Sequence, residues 1–496
     1  MRCRITPLLI YTLLTIQLSG CMMGPDYVRP KLTVPAEFKE LKGWKQAQPQ
    51  DHVLRGKWWK MFNDPRLNRL EEQVATGNFS LAQAEAQYRQ AEHLVLTAQS
   101  ALFPVASASG TFNRFLAASG QSVAVPGVRN LFGLALSMSW QPDLWGSVRR
   151  QIEANTDTAQ ASAATMQALR LSLQATLAVD YYQLKMLDGQ KALLDGTADA
   201  YNKILTITKN RYAVGVAAKS DVVQAEAQTE SVRAQAINLG VQRAQYEHAI
   251  AVLIGKAPAE VAMPAEPLAV SPPSVPLQLP SELLERRPDI ATAERKMAAS
   301  NAQIGVAKAA YFPTLNLGAT TGYQSTLLNT LLDSARRYWA LGPAAVALSI
   351  FDGGAKNAQY KQAIDQYDAN AAAYRQTVLT AFQQVEDNLA AVRILEEESQ
   401  VQNKAVAAAN QALELTLNQY KAGTVNYLNV MTAQTVALSN RITAVQLQGA
   451  RLTAAVQLVT ALGGGWDNSK VPSSKDMGKD IKWTDYLSIP LIDQGK

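Results

Sequence analysis

The chain has 496 residues, of which 48% are hydrophobic and 18% charged, and its formal net charge of +6 is spread thinly along its length. Such spacing excludes the clustered basic patch that nucleic-acid binding needs. Only two cysteines occur, which excludes a disulfide framework, and no metal-ligand or cofactor signature is present.

Chain order begins with Arg2 and Arg4, an apolar stretch from Ile5 to Leu18, and then Ser19-Gly20-Cys21. Basic, apolar and small-residue regions in that order read as a secretory signal over residues 1–20. A cysteine directly after the small residues resembles a bacterial lipobox, so Cys21 is the expected lipidation site; the plainer reading is a buried thiol. Met22, rather than an aspartate, follows it, the pattern sorted to the outer membrane. A single acyl chain anchors weakly, so stable residence needs more lipid or an inserted segment. No later apolar run is long enough for a membrane helix. Any crossing must use β-strands.

Residues 21–64 form an N-terminal segment. A first repeat is expected over 65–257, a proline-rich linker over 258–288, a second repeat over 289–465 and a C-terminal segment over 466–496. Proline placement drives this division. Residues 143–257 and 344–471 contain no proline, and both tracts are rich in good helix formers. Shorter helical tracts precede them, at Arg66–Phe103 and Asp289–Phe312. Trp145 to Tyr212 would make a rod about 100 Å long. An ordinary coiled coil is the plainer alternative. The halves also match in sequence. Phe103-Pro104 corresponds to Phe312-Pro313, and Tyr212 with Gly215 to Tyr420 with Gly423, at nearly constant offset.

Between the helical tracts lie segments of period two. Phe132, Leu134, Leu136, Met138 and Trp140 share one side, while small residues fill the other. Their counterpart is Val346, Leu348 and Ile350. Leu315 to Tyr323 supplies a third strand, and Val105 to Phe115 the weakest. Large apolar residues on one side and small or polar ones on the other suit a membrane barrel whose lipid face these side chains form. Soluble hairpins packed as a sandwich are the alternative. Four strands cannot close in lipid, since the smallest membrane barrels have eight. Several copies must therefore share one wall; three would supply twelve strands and a lumen.

The motifs Cys21-Met-Met-Gly24-Pro25-Asp26-Tyr27, Trp58-Trp59, Asp143-Leu144-Trp145-Gly146, Asn210-Arg211-Tyr212, Arg286-Arg287-Pro288-Asp289 and Ile350-Phe351-Asp352-Gly353-Gly354 together resemble the outer membrane factor family, specifically NodT-type efflux lipoproteins with a TolC-like channel-tunnel. The resemblance implies a mainly α fold with a membrane β-barrel. In that fold, a homotrimer builds a twelve-stranded barrel, a long α-helical periplasmic barrel and an equatorial domain, with internal duplication. It implies a passive exit channel, not an enzyme, working with a periplasmic adaptor and an inner-membrane transporter of the RND type to export drugs or other small toxic compounds. A duct for type I protein secretion and a structural coiled-coil lipoprotein are the competing readings.

The resemblance also places a periplasmic iris at the turns around Tyr212, Gly215 and Asp221 and around Tyr420, Gly423, Val425, Leu428, Asn429 and Thr432. Gly215 and Gly423 suit left-handed residues ending helices. Asp221 is the expected cap of the next helix, with Gln224 as its capping-box partner, or else a latch toward Tyr420. Family members often carry an arginine where Val425 stands and acidic residues where Asn429 and Thr432 stand. Here all three are uncharged, which argues against an arginine latch and an acidic ring, and leaves Leu428 as an apolar constriction or a packing residue.

Overall fold

The computed structural model describes residues 22–30, 38–41, 56–117, 127–268, 271–273, 275, 286–466, 469 and 471–473. Cys21, the signal and most of the C-terminal segment lie outside them.

A short helical turn, Trp58–Phe62, is followed by α1 (Pro65–Gly77) and α2 (Phe79–Ser100). Strands β1 (Val105–Ala117) and β2 (Gly127–Trp140) come next, then α3 (Ser147–Ala213) and α4 (Lys219–Leu253). The second half has α5 (Pro288–Ala309), β3 (Thr314–Ser325), β4 (Arg337–Ala347), α6 (Ala355–Ala422) and α7 (Tyr427–Ala461). Lengths repeat: α2 and α5 have 22 residues each, α3 and α6 have 67 and 68, and α4 and α7 have 35 each. No helix among the described residues is long and apolar enough to cross a membrane.

Both long helices start alike. Gly146 and Gly354 adopt left-handed conformations (φ 76° and 89°), which a Cβ would penalise. Asp143 accepts from the backbone N–H groups of Val148 and Arg149, both at 3.0 Å, and Asp352 accepts from those of Gly354 and Lys356. Each carboxylate thereby satisfies donors that an α-helix leaves free at its start.

The strands form one antiparallel sheet in the order β1-β2-β3-β4. Its register puts the expected apolar faces side by side. Phe132 pairs with Phe112, Leu134 with Tyr323, Leu136 with Thr321, Met138 with Ala319 and Trp140 with Leu317. On the opposite side Ser107 and Ser137 share a hydrogen bond at 2.9 Å. β4 departs from expectation. It starts earlier and ends at Ala347, so Val346 lies in the strand, opposite Leu315, while Leu348 and Ile350 lie beyond it in the link to α6. Pro343 sits inside β4 at a bulge, where Gly342 and Pro343 together face Gly318. An outer strand tolerates a residue without an N–H at such a point. Among the described residues the outward edges of β1 and β4 have no strand partner.

Midway along α3 the main core gathers. Trp58, Trp59 and Phe62 pack against Leu67, Tyr181 and Tyr182, with Ile250 and Leu458 from the later helices. Asp64 caps α1 through the N–H groups of Arg66 and Leu67 and also accepts from Tyr181 at 2.9 Å. Burial would raise its pKa, but the Tyr181 hydroxyl, the Leu67 N–H and the Lys185 charge outweigh that and hold the carboxyl below its usual range. Arg287, just before α5, ties the helices of the second half together: it donates to the Ala461 carbonyl of α7 at 2.9 Å, to Asp289 of α5 at 2.6 Å and to Gln384 of α6 at 2.8 Å.

Residues 22–30 lie across both repeats. The Met23 N–H donates to the Trp145 carbonyl at 3.1 Å. Buried Arg150 of α3 donates to the Met23 carbonyl at 3.1 Å and to Asp26 at 2.7 Å. Asn301 of α5 donates to the Pro25 carbonyl, and Tyr27 donates to Glu294.

Candidate functional site: the two helical turns at the far end of the long helices

The long helices end in two turns of the same design. At the first, the Gly215 N–H donates to the Tyr212 carbonyl at 2.9 Å and the Val216 N–H to the Arg211 carbonyl at 2.8 Å. At the second, the Gly423 N–H donates to Tyr420 and the Thr424 N–H to Gln419, each at 3.0 Å. These paired bonds close the helix end, and they need a left-handed residue where the two glycines stand. Gly215 and Gly423 have φ of 75° and 81°.

The turns are packed together. Tyr420, Tyr427 and Val430 bury themselves against Ile204 and Leu205 of α3 and Val222 and Ala225 of α4. The two tyrosine rings meet edge to face with centroids 5.9 Å apart. Arg211 ties one turn to the other: it donates to the Tyr420 carbonyl at 2.8 Å and to the Lys421 carbonyl at 3.3 Å. Its guanidinium stands 4.8 Å from the centre of the Tyr420 ring. A cation suits the carbonyl end of α6, where the helix dipole is negative. Thr208 faces the Tyr420 hydroxyl at 3.2 Å.

The family profile described as Outer membrane efflux protein matches residues 70–256 and 279–464. The chain belongs to that family. It is 32% identical over 460 residues to the antibiotic efflux pump outer membrane protein ArpC of Pseudomonas putida, covering 90% of this chain and 93% of that one. The same figures hold for the toluene efflux pump outer membrane protein TtgC of Pseudomonas putida. The solved outer-membrane channel OprN is 29% identical with a TM-score of 0.84, over 90% of this chain and all of that one. This outer membrane efflux protein is therefore an outer-membrane exit channel, its helices extending into the periplasm.

Placing the expected iris residues on this efflux protein corrects the reading of Asp221. Asp221 does not cap α4. The helix starts at Lys219 after Ala218, no side chain caps it, and the Asp221 N–H donates to the Ala218 carbonyl at 3.1 Å. Asp221 instead stands in the first turn, where a negative charge meets the positive helix end. The side-chain cap belongs to the second turn, where Asn426 accepts from the Asn429 N–H at 3.3 Å. Nor does Asp221 latch onto Tyr420 within the chain; Thr208 and Arg211 take that tyrosine. Burial chiefly, with Tyr201, Tyr420 and Asp221 adding to it, pushes the Tyr427 hydroxyl up to about 12.

Leu428 is 52% exposed and stands apart from the buried cluster, so it is not a packing residue of its own subunit. Val425, Asn429 and Thr432 line one side of an open groove of about 360 Å³, with Thr416 and Gln419 of α6 opposite. Tyr212 is half exposed, with the Lys219 ammonium 5.6 Å from its ring centre. The residue that sequence reasoning passed over is Arg211. It was visible within Asn210-Arg211-Tyr212, but its partners lie about two hundred residues away.

Proposed function

We propose that three copies of this chain share one twelve-stranded barrel and form the passive exit duct of a tripartite efflux pump, with a periplasmic adaptor and an inner-membrane transporter of the RND type. The chain acts without catalysis, and the transporter supplies the energy. The observation that carries this reading is the four-stranded sheet. It has one continuous apolar face and two unpaired edges among the described residues. In lipid, each open backbone group costs several kcal/mol, so edge must meet edge in another copy. Phe132, Leu134, Leu136, Met138, Trp140 and Val346 then face lipid.

Cys21 carries the lipid in this reading. Two residues further on, the Met23 N–H donates to the Trp145 carbonyl, in the link between β2 and α3. The exported compounds are drugs and other small toxic compounds, in keeping with the antibiotic and the toluene for which the relatives ArpC and TtgC are named. The turns joined by Arg211 and Tyr420 form the periplasmic iris, with Leu428 as its apolar constriction.

Deletion of the gene followed by a panel of antibiotics and solvents tests the export reading, and increased sensitivity is expected. An unchanged panel together with a lost secreted protein would replace it with protein secretion. A detergent-extracted chain that stays monomeric and passes no ions would end the duct reading altogether.

A further inference from the structure

A second cavity lies in the wall of the helical part, adjoining the buried cluster behind the turns. It has a volume of about 410 Å³ and is enclosed by α3 of the first repeat and α6 and α7 of the second. Its mouth is a slot along α3. Ala192, Gly196 and Ala200 recur once per turn there and are exposed. A Cβ placed on Gly196 would meet nothing within 4 Å, so within one chain the slot is open space. Leu417 of α6 forms the facing wall.

The inner wall holds the decisive group. Gln434 of α7 is 1% exposed, and neither its amide oxygen nor its amide nitrogen has a hydrogen-bond partner. A buried amide with an idle donor and an idle acceptor is costly, and native structures seldom leave one unmatched. The packing of α7 against α3 has nevertheless kept it there, lining an unfilled space.

We propose that this cavity is a binding site for a neutral, flat small molecule carrying a secondary amide or lactam. The class follows from the lining. Its volume falls in the range of small-molecule sites, which combine apolar walls with a few placed polar groups. A secondary amide answers Gln434 with one acceptor and one donor. The slot of small residues admits a planar body. No acidic side chain lines the cavity and Arg441 does, which disfavours cations. Arg441 is itself held by Asn410, at 2.7 Å from Nε. Ile204 lines this cavity and also belongs to the buried cluster behind the turns. A bound molecule therefore touches a side chain that packs the periplasmic end, and it bridges the two repeats.

The test uses the full chain extracted in detergent, in its native assembly, with 4-bromoacetanilide as the probe. Crystals soaked with it should give an anomalous bromine peak inside the cavity, with the probe's amide on Gln434. In solution the probe should raise the melting temperature of the wild type. Gly196→Leu, whose side chain has free space to enter, should abolish binding. Gln434→Leu should weaken it at least tenfold. The ketone 4-bromopropiophenone, which lacks the donor, should bind more weakly than the anilide. Both variants must keep the wild-type oligomeric state and a cooperative melt; Gly196→Leu is the arm least exposed to misfolding. Ordered water alone on Gln434 at saturating probe, a bromine peak only elsewhere, or equal affinity in Gly196→Leu would each overturn the proposal.

Discussion

Replacing Arg211 by alanine removes the side chain that donates hydrogen bonds to the backbone carbonyls at the end of α6. A hydrogen bond to a charged group contributes about 1.5–3 kcal/mol, and the 2.8 Å bond to the Tyr420 carbonyl is of that kind. The bond to Lys421 is longer and more exposed and adds little. The guanidinium over the Tyr420 ring adds about 0.5–1 kcal/mol. Together R211A should shift the balance between joined and parted turns by about 2–4 kcal/mol per subunit. At 1.4 kcal/mol per factor of ten, that is roughly 30- to 700-fold. Planar-bilayer recording should show higher open probability, with the melting temperature of the main core nearly unchanged. Arg211→Lys keeps a charge but not the fork, and should fall between. Thr208→Val loses one neutral hydrogen bond, worth about 1 kcal/mol, and should open the channel about fivefold. A well-folded R211A with wild-type open probability would refute the idea that this contact holds the turns together.

Leu428→Ala should raise single-channel conductance, because a half-exposed side chain outside the buried cluster leaves the packing intact when shortened; unchanged conductance removes it from the constriction. Asp157 is pushed up to about 6 by burial, with Arg295 opposing that at 3.3 Å. Its folded pKa lies above its free value, so its contribution to stability falls as pH rises from about 4 to about 6, by at most ~3 kcal/mol. Asp157→Asn should therefore gain on the wild type between melts at pH 4.5 and pH 7.5, and parallel curves at both would contradict this. Glu71 is fully buried with neither carboxyl oxygen bonded, and burial pushes its pKa well up, which disfavours the charged form. Glu71→Gln should leave stability within about 1 kcal/mol of wild type by urea titration, while a charged replacement, Glu71→Lys, should cost at least 3 kcal/mol.

What the sequence disclosed was local. The long helices were legible because proline is absent over more than a hundred residues twice, and nothing else stops a helix so reliably. The two turns were legible because glycine is the cheap residue at positive φ. The alternation in β2 survived into the register because pleating fixes its period at two. Failures came where a local rule competed with a neighbour. The alternation of Val346, Leu348 and Ile350 placed β4 too late, because the strand runs from Arg337 through a bulge at Gly342 and Pro343 and ends at Ala347. Asp221 has the chemistry of a cap, yet its helix begins two residues earlier, and the capping residue of the paired turn is Asn426. Arg211 stood in a visible motif without a role, and Gln434 stood in none. Their meaning depends on which helix of one repeat lies beside which helix of the other, and no short pattern encodes that adjacency.

The near-identity of the paired helices, 67 against 68 residues and 35 against 35, works like the two arms of a pair of callipers. At 1.5 Å per residue, losing one heptad from a single arm would lift its tip by about 10 Å. Tyr420 would then face the wrong turn of its neighbour, and Arg211 would meet no carbonyl. Changes in the reach of this duct are thus confined to matched edits in both repeats, and a chimera that exchanges only one hairpin for a longer one should be leaky however well it folds.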